Sequence, residues 1–229
     1  MGAGRGWVAN RPTLAGSINA YTKRERMDHW SLGLLLLVGI WMVRGHFQRK
    51  RVAILAGHLQ HYEIEKLMES LINGYLRAAG EHDPERQMQL WRRLEPVEAA
   101  LCSQFDRFAR EFAQVGESDA RVSPWGVPGL DLLLPGQGFD VRRLFELHAQ
   151  GLRVASTHAD TDTAAQRKAQ AYTMTAEMLL MQHTCHWYCR SRAVASARME
   201  IRHQTPWRQV VEHVGPVTRR AYLELVGLA

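Results

Sequence analysis

The feature that most constrains this chain is an uncharged, leucine-rich run at residues 30–43, with basic residues on both sides of it. A helix needs about 20 residues to cross a hydrocarbon core of roughly 30 Å, so this run is short by itself. Residues 29–47 are sufficient, because arginine can reach the headgroups from inside the span and tryptophan favours the membrane interface. We therefore predict a transmembrane anchor at residues 29–47. The residues that define it are Trp30, Leu34, Leu35, Leu36, Leu37, Ile40, Trp41 and Arg44.

Two other structures for this run stay open. It could form a helix that lies in the membrane interface, or the core helix of a soluble protein that buries residues 34–40. A cleaved signal peptide fits less well, because the run starts late and leads into Arg44 and Arg49 instead of a small-residue cleavage site.

The positive charge of the chain is concentrated near its N-terminus. Up to Arg51 there are nine basic and two acidic residues, whereas the remainder has 20 basic and 21 acidic residues. The body therefore has no general charge for binding a polyanion. We expect membrane lipid as a partner of the basic region, and we do not expect nucleic acid.

The distribution of these charges also predicts an orientation. The basic cluster at residues 44–51 is denser than the one at residues 23–26, which favours a single-pass protein with a cytoplasmic body. Three scattered cysteines give no sign of a disulfide framework. The predicted organisation is a basic N-terminal tail at residues 1–28, the anchor at residues 29–47 and a helical cytoplasmic domain at residues 48–229.

Helical periodicity extends through almost all of the body, and no alternating β-branched run predicts a sheet. The predicted fold class is therefore all-α: a single transmembrane helix, then a compact multi-helix domain with one long Pro/Gly-rich loop. The first helix of this domain includes Leu55 and can end at Asn73-Gly74 or at Gly80.

Asp83 and Pro84 are a typical N-cap and first residue of the next helix. Its apolar residues recur at spacings of three and four and so share one face that must be buried. Pro96 should kink this helix or divide it in two. The apolar stripe consists of Leu90, Leu94, Val97, Leu101, Phe105, Phe108 and Phe112.

Prolines and glycines interrupt residues 115–139, which predicts the long loop. Asp140 should then cap a helix through Gln150, and Asp160 or Thr161 should start a long helix that includes Trp187. Near the C-terminus, Thr205 should cap a helix that Gly215-Pro216 ends, and residues 217–226 should form the last one.

Chemistry is sparse in this sequence, and no catalytic motif predicts an enzyme. The best metal candidate is the cluster of His183, Cys185, His186 and Cys189, since Cys185 and Cys189 would share one helix face. The spacing matches no common zinc or haem pattern, and buried thiols that pack as small apolar groups explain it better. We therefore predict no cofactor and keep a metal or redox role for this cluster as the alternative.

The last part of the chain is rich in arginine. It contains seven arginines and three glutamates, and the arginines can contact acidic protein segments or lipid. The candidates for partner binding are Arg190, Arg192, Arg198 and Arg202.

The C-terminal third resembles the DotM/TrbA family of type IVB secretion and IncI-type conjugation systems. The resemblance lies in residues 169–175 (AQAYTMT) on a long helix, Pro206-Trp207, Val214-Gly215 and residues 222–227 (YLELVG). It implies a non-enzymatic, membrane-anchored helical subunit in a coupling complex of the bacterial inner membrane. It also implies that the partners are other protein subunits of a membrane complex, with a coupling ATPase among them.

Overall fold

The computed structural model describes residues 14–122, 138–159 and 161–228, with side chains from residue 30 onward. The chain forms two compact units, Met1–Gly45 and His46–Ala229. In chain order the described elements are α1 (Leu14–Leu59), α2 (Ile64–Ala79), α3 (Pro84–Phe112), α4 (Glu117–Ala120), β1 (Arg121–Val122), β2 (Phe139–Asp140), α5 (Val141–Ala155), α6 (Ala164–Cys189), α7 (Arg192–His203), α8 (Trp207–His213) and α9 (Pro216–Leu225). The prediction of an all-α fold is confirmed.

In the first unit, the described side chains are those of the leucine-rich run. Every residue from 30 to 43 is exposed. By length and composition, the stretch Trp30–Leu59 is able to span a membrane. The alternative in which residues 34–40 are a buried core helix is therefore not the arrangement found.

The second unit is built around α3, α5 and α6, whose aromatic side chains meet in one cluster. Phe112 lies edge-on to Phe145 with ring centroids 4.9 Å apart, and it contacts Tyr188 at 5.6 Å. Phe108 contacts the same Phe145 at 5.1 Å. Such pairs contribute about 0.5–1.5 kcal/mol each beyond the burial of their area. Leu101, Phe105, Phe108 and Phe112 of the stripe predicted on α3 are fully buried, whereas Leu90, Leu94 and Val97 are half-buried.

The remaining helices pack outward from this core. α2 packs on α3, α7 and α8 pack on α6, and α9 packs on α5. The end of α1 belongs to the same unit: Leu55 is buried, and the Arg51 guanidinium lies 5.6 Å from the ring centroid of Tyr188.

Several predicted helix ends are confirmed because side chains satisfy the free backbone groups there. Asp83 accepts a hydrogen bond from the Glu85 N–H and Pro84 opens α3. Asp140 accepts from the Arg142 N–H at the start of α5. Gly80 ends α2 as predicted, but the prediction that the same helix includes Leu55 is wrong, because α1 ends at Leu59 and α2 begins at Ile64.

Two predicted interruptions are wrong. Gly74 lies inside α2, because it allows close packing on α3: a Cβ there would be 2.3 Å from Leu94 Cδ2. Pro96 does not divide α3, which continues from Pro84 to Phe112. The buried stripe on both sides of Pro96 outweighs the one backbone hydrogen bond that proline removes.

Two predicted helix starts are displaced. α6 begins after Thr163, which forms a capping box with Gln166, whereas Thr161 lies in a turn and Asp160 falls outside the described residues. α8 begins after Pro206, because the Thr205 hydroxyl donates to the His203 carbonyl of the preceding helix at 2.8 Å.

Residues 123–137 of the predicted long loop lie outside the described part of the chain. Its two ends form an antiparallel pair of two-residue strands, in which Val122 lies opposite Phe139. No sequence pattern predicted this pair, since two residues are too few to show alternation.

Gly151 in α5 provides a test of this packing. A Cβ there would lie 2.4 Å from Glu177 Oε2 and 2.7 Å from Thr218 Oγ1, so Gly151→Ala should destabilise the protein by about 1–3 kcal/mol through overpacking. Gly57→Ala is the matched control, because no atom lies within 4 Å of its added methyl group. The control should be more stable by up to about 1 kcal/mol through helix propensity. Denaturant unfolding of the full chain in mild detergent measures both changes, and equal stabilisation by both would contradict the packing.

Candidate functional site

The first candidate site is the exposed apolar surface of residues 30–43. Leu34, Leu35, Leu36 and Leu37 are consecutive, and each is at least 61% exposed. Successive residues of an α-helix turn by about 100°, so four in a row cover the whole circumference. An interfacial helix needs an apolar face and a polar face, which this segment lacks. A helix that is apolar all round is typical of a membrane span or of a site wholly enclosed by protein.

The second candidate site is the outward face of α7, which we call the α7 face and define as Val194, Arg198, Ile201 and Arg202. Ser191 starts this helix by accepting a hydrogen bond from the Val194 N–H. Ala195 and Met199, one turn apart, are buried and hold α7 against the core, and Arg198 and Arg202 lie next to them on the rim of a cavity between α6 and α7.

The α7 face combines charge with apolar surface. Ile201 is 77% exposed, which is more than any other large apolar side chain among the described residues. Arg198 and Arg202 stand beside it and are also exposed. Among the described residues, none of the arginines at 190, 192, 198 and 202 forms a salt bridge with an acidic side chain.

The four predicted partner-binding arginines have different surroundings. The Arg192 guanidinium stacks over the ring of Trp207 at 4.3 Å and lies 5.7 Å from that of Trp187, so it is a structural contact between α7, α8 and α6. Arg190 is exposed and donates to Gln48 Oε1 at 2.8 Å. Arg198 and Arg202 are therefore the residues best placed to meet a partner.

The predicted histidine and cysteine cluster is divided between different surroundings. His183 is buried, and its Nε2 lies 3.1 Å from Ser196 Oγ. His186 instead accepts at Nδ1 from Arg198 Nη1 at 3.3 Å. Burial lowers the pKa of both imidazoles, that of His183 to about 3. In the described part of the chain, no three His, Cys, Asp or Glu side chains are placed to hold one metal ion.

Cys185 and Cys189 line an apolar groove. Burial raises the pKa of both thiols above the ordinary value, that of Cys189 to about 11, so they are neutral at pH 7. A neutral thiol is a poor nucleophile and metal ligand and packs as a small apolar group. The metal or redox alternative therefore stays a hypothesis that this geometry does not favour.

The groove lies between the end of α1, the start of α2 and the last turns of α6, and its volume is about 320 Å³. Leu55, Met68 and Phe105 form apolar parts of its lining. Arg190 and Arg198 belong to its lining too, so the arginine surface and the groove meet.

Sequence reasoning missed two buried polar networks in the second unit. Tyr75 donates to Glu98 Oε1 at 2.5 Å, and the other carboxylate oxygen of Glu98 pairs with His158. His158 Nδ1 lies 2.9 Å from Gln170 Oε1, which connects the chain after α5 to α6. The four residues are far apart in sequence, so no local pattern could have predicted this network.

Glu177 is the centre of the second network. Its side chain is 1% exposed, and Oε1 accepts a hydrogen bond from the Gly215 N–H at the start of α9, at 3.0 Å. Burial raises the pKa of Glu177 to about 7, although the hydrogen bonds from Thr218 and Gly215 oppose this rise. The carboxyl is thus a buried contact between α6 and the N-terminus of α9.

No family model, curated protein or solved structure matches this chain. Its own residues and their geometry are therefore the basis for a functional assignment.

The raised pKa of Glu177 predicts a pH-dependent stability. The folded state favours the protonated carboxyl, so this group's stabilising effect is full below about pH 4.5 and is lost as the pH rises through 7. Glu177→Gln stays neutral. The stability of the wild-type protein relative to this variant should fall by on the order of 2–3 kcal/mol between pH 5 and pH 8.

Denaturant unfolding at several pH values measures this difference. Glu212→Gln is the control, because Glu212 is exposed on α8 and its charge is solvated. If the difference in unfolding free energy between the wild type and Glu177→Gln does not change with pH over this range, the buried carboxyl is contradicted.

Proposed function

We propose that this chain is a membrane-anchored, non-enzymatic adaptor whose helical body binds other proteins through the α7 face. The observation that carries the proposal is the pairing of exposed Ile201 with Arg198 and Arg202, two cations that lack an acidic partner among the described residues.

The anchor part of the proposal has its own support. Residues 30–43 expose apolar side chains in every direction, and basic residues follow at 44–51. We propose that this helix crosses the bacterial inner membrane once and that the body lies in the cytoplasm, following the positive-inside rule. Trp30 would lie at one interface, whereas Trp41, about 16 Å further along the helix, would lie inside the span.

The chemistry of the α7 face defines the partner. A complementary segment would place an apolar side chain against Ile201 and carboxylates against Arg198 and Arg202. Arginine is enriched among the residues that contribute most to binding, and it can hold a carboxylate with two hydrogen bonds. Following the resemblance to the DotM/TrbA family, we propose subunits of a secretion or conjugation complex as partners, with the coupling ATPase as the first to test.

Charge reversal tests this surface directly. The double variant Arg198→Glu and Arg202→Glu should reduce capture of the partner from detergent-solubilised native membranes at least tenfold, about 1.4 kcal/mol. Quantitative mass spectrometry of the co-purified proteins provides the measurement. Arg192 is left unchanged, because its contact with Trp207 is part of the fold.

The control is Arg219→Glu with Arg220→Glu, which changes the net charge equally at two exposed arginines of α9. This control should capture as much partner as the wild type does. If both double variants lose the partner equally, general charge and not the α7 face is responsible. If neither loses it, the proposed surface is wrong.

A further inference from the structure

The groove between α1, α2 and α6 has the composition of a ligand site. Its lining is mainly apolar and includes Leu55, Met68, Phe105 and Met181, together with the neutral thiols of Cys185 and Cys189. Its volume of about 320 Å³ is at the lower end of the range for small-molecule pockets, about 300–1,000 Å³.

Charged and polar groups lie at this groove as well. Arg190 and Arg198 line it, and Glu65 is the acidic residue of the lining. Neither arginine forms a salt bridge within the described residues. The two arginines and Glu65 together give the lining a net charge of +1. Arginine has five N–H donors, so the single hydrogen bond from Arg190 to Gln48 leaves donors for a ligand.

His186 adds a further donor. The Arg198 guanidinium can only donate, so the Nδ1 atom that it approaches must accept, and a neutral ring then carries its proton on Nε2. Burial and the neighbouring Arg198 lower the pKa of His186, which keeps this ring neutral at pH 7. Three groups that favour an oxyanion therefore adjoin an apolar lining.

We infer that this groove binds a single-chain anionic amphiphile, with its hydrocarbon chain along the apolar lining and its carboxylate or phosphate at Arg190, Arg198 and His186. The geometry favours a free fatty acid, whose one chain and one carboxylate match the volume and the charge of the groove; a chain of an anionic phospholipid is the other outcome of the test below. The inference goes beyond the proposed adaptor role, and the two sites share Arg198. Val52 and Leu55 of the groove follow the proposed anchor shortly in sequence, where a lipid ligand would be available.

Cys185 and Cys189 report occupancy of the groove. Because neutral thiols react slowly, alkylation is run at about pH 9 and for long enough that both cysteines are labelled without ligand. The full chain is reconstituted in nanodiscs of phosphatidylcholine, and alkylation by N-ethylmaleimide is followed residue by residue with mass spectrometry. Sodium dodecanoate should slow alkylation of Cys185 and Cys189 at least fivefold, whereas dodecyltrimethylammonium should not. Cys102, which is buried on α3 and hydrogen-bonded to Ser156, should be unaffected and reports any general opening of the fold.

Two pairs of variants test separately the apolar part of the groove, which would hold the hydrocarbon chain, and the arginines, which would hold the anionic group. Ala56→Trp should fill the groove and abolish the effect of dodecanoate, whereas Ala53→Trp, exposed on the same helix but outside the groove lining, should preserve it. Arg198→Glu should abolish protection by dodecanoate, whereas Arg208→Glu on α8 should not.

The source of the ligand is tested by adding phosphatidylglycerol to the nanodiscs without dodecanoate. Protection by phosphatidylglycerol supports a phospholipid chain, and protection by dodecanoate alone supports a free fatty acid. Equal protection by the cationic amphiphile, or no protection by either anion, would overturn the inference. Arg198 belongs to both sites, so two other variants separate the proposals. Ala56→Trp should abolish protection and leave partner capture unchanged, whereas Arg202→Glu, outside the groove lining, should reduce capture and leave protection unchanged.

Discussion

The constraint on which this structure depends is an apolar surface that the chain does not cover itself. Burying one leucine or isoleucine side chain contributes about 1.5–3 kcal/mol, and a typical domain is stable by only about 5–15 kcal/mol. Leaving the exposed leucines, isoleucine and tryptophans of residues 30–43 in water would therefore forgo more free energy than a fold provides. Because Leu34 to Leu37 cover every direction around the helix, a one-sided contact cannot solve this, and a lipid surrounding can.

The second unit buries its own apolar core and leaves a different surface exposed. Its core is the aromatic cluster of α3, α5 and α6, and buried polar contacts such as Glu177 with Gly215 hold the later helices to it. Arg198 and Arg202 of α7 are exposed, and Arg198 also lines the groove that contains Cys185 and Cys189 of α6. The cationic and apolar face of α7 is the basis of the proposed adaptor role.

Local chemistry made much of this fold predictable, whereas long-range contacts did not. Asp83 with Pro84, Asp140, and the stripe on α3 are signals within a few residues, and the structure confirms them. Gly74 was misread because its role depends on Leu94 of the next helix. The arginines were found by composition, but only the fold separates Arg192, stacked on Trp207, from Arg198 and Arg202. The pairing of Glu98 with His158 joins residues 60 apart, which no local pattern records.

The most direct test of the central claim is the environment of four consecutive side chains. Single cysteines at positions 34, 35, 36 and 37, in a chain whose native cysteines are replaced by alanine, are spin-labelled and reconstituted in liposomes. Collision rates with oxygen, which concentrates in lipid, and with a water-soluble nickel chelate are then measured. The account predicts high oxygen and low nickel accessibility at all four positions, without helical periodicity. Nickel accessibility that rises and falls with the helical period, or low accessibility to both reagents, would contradict it.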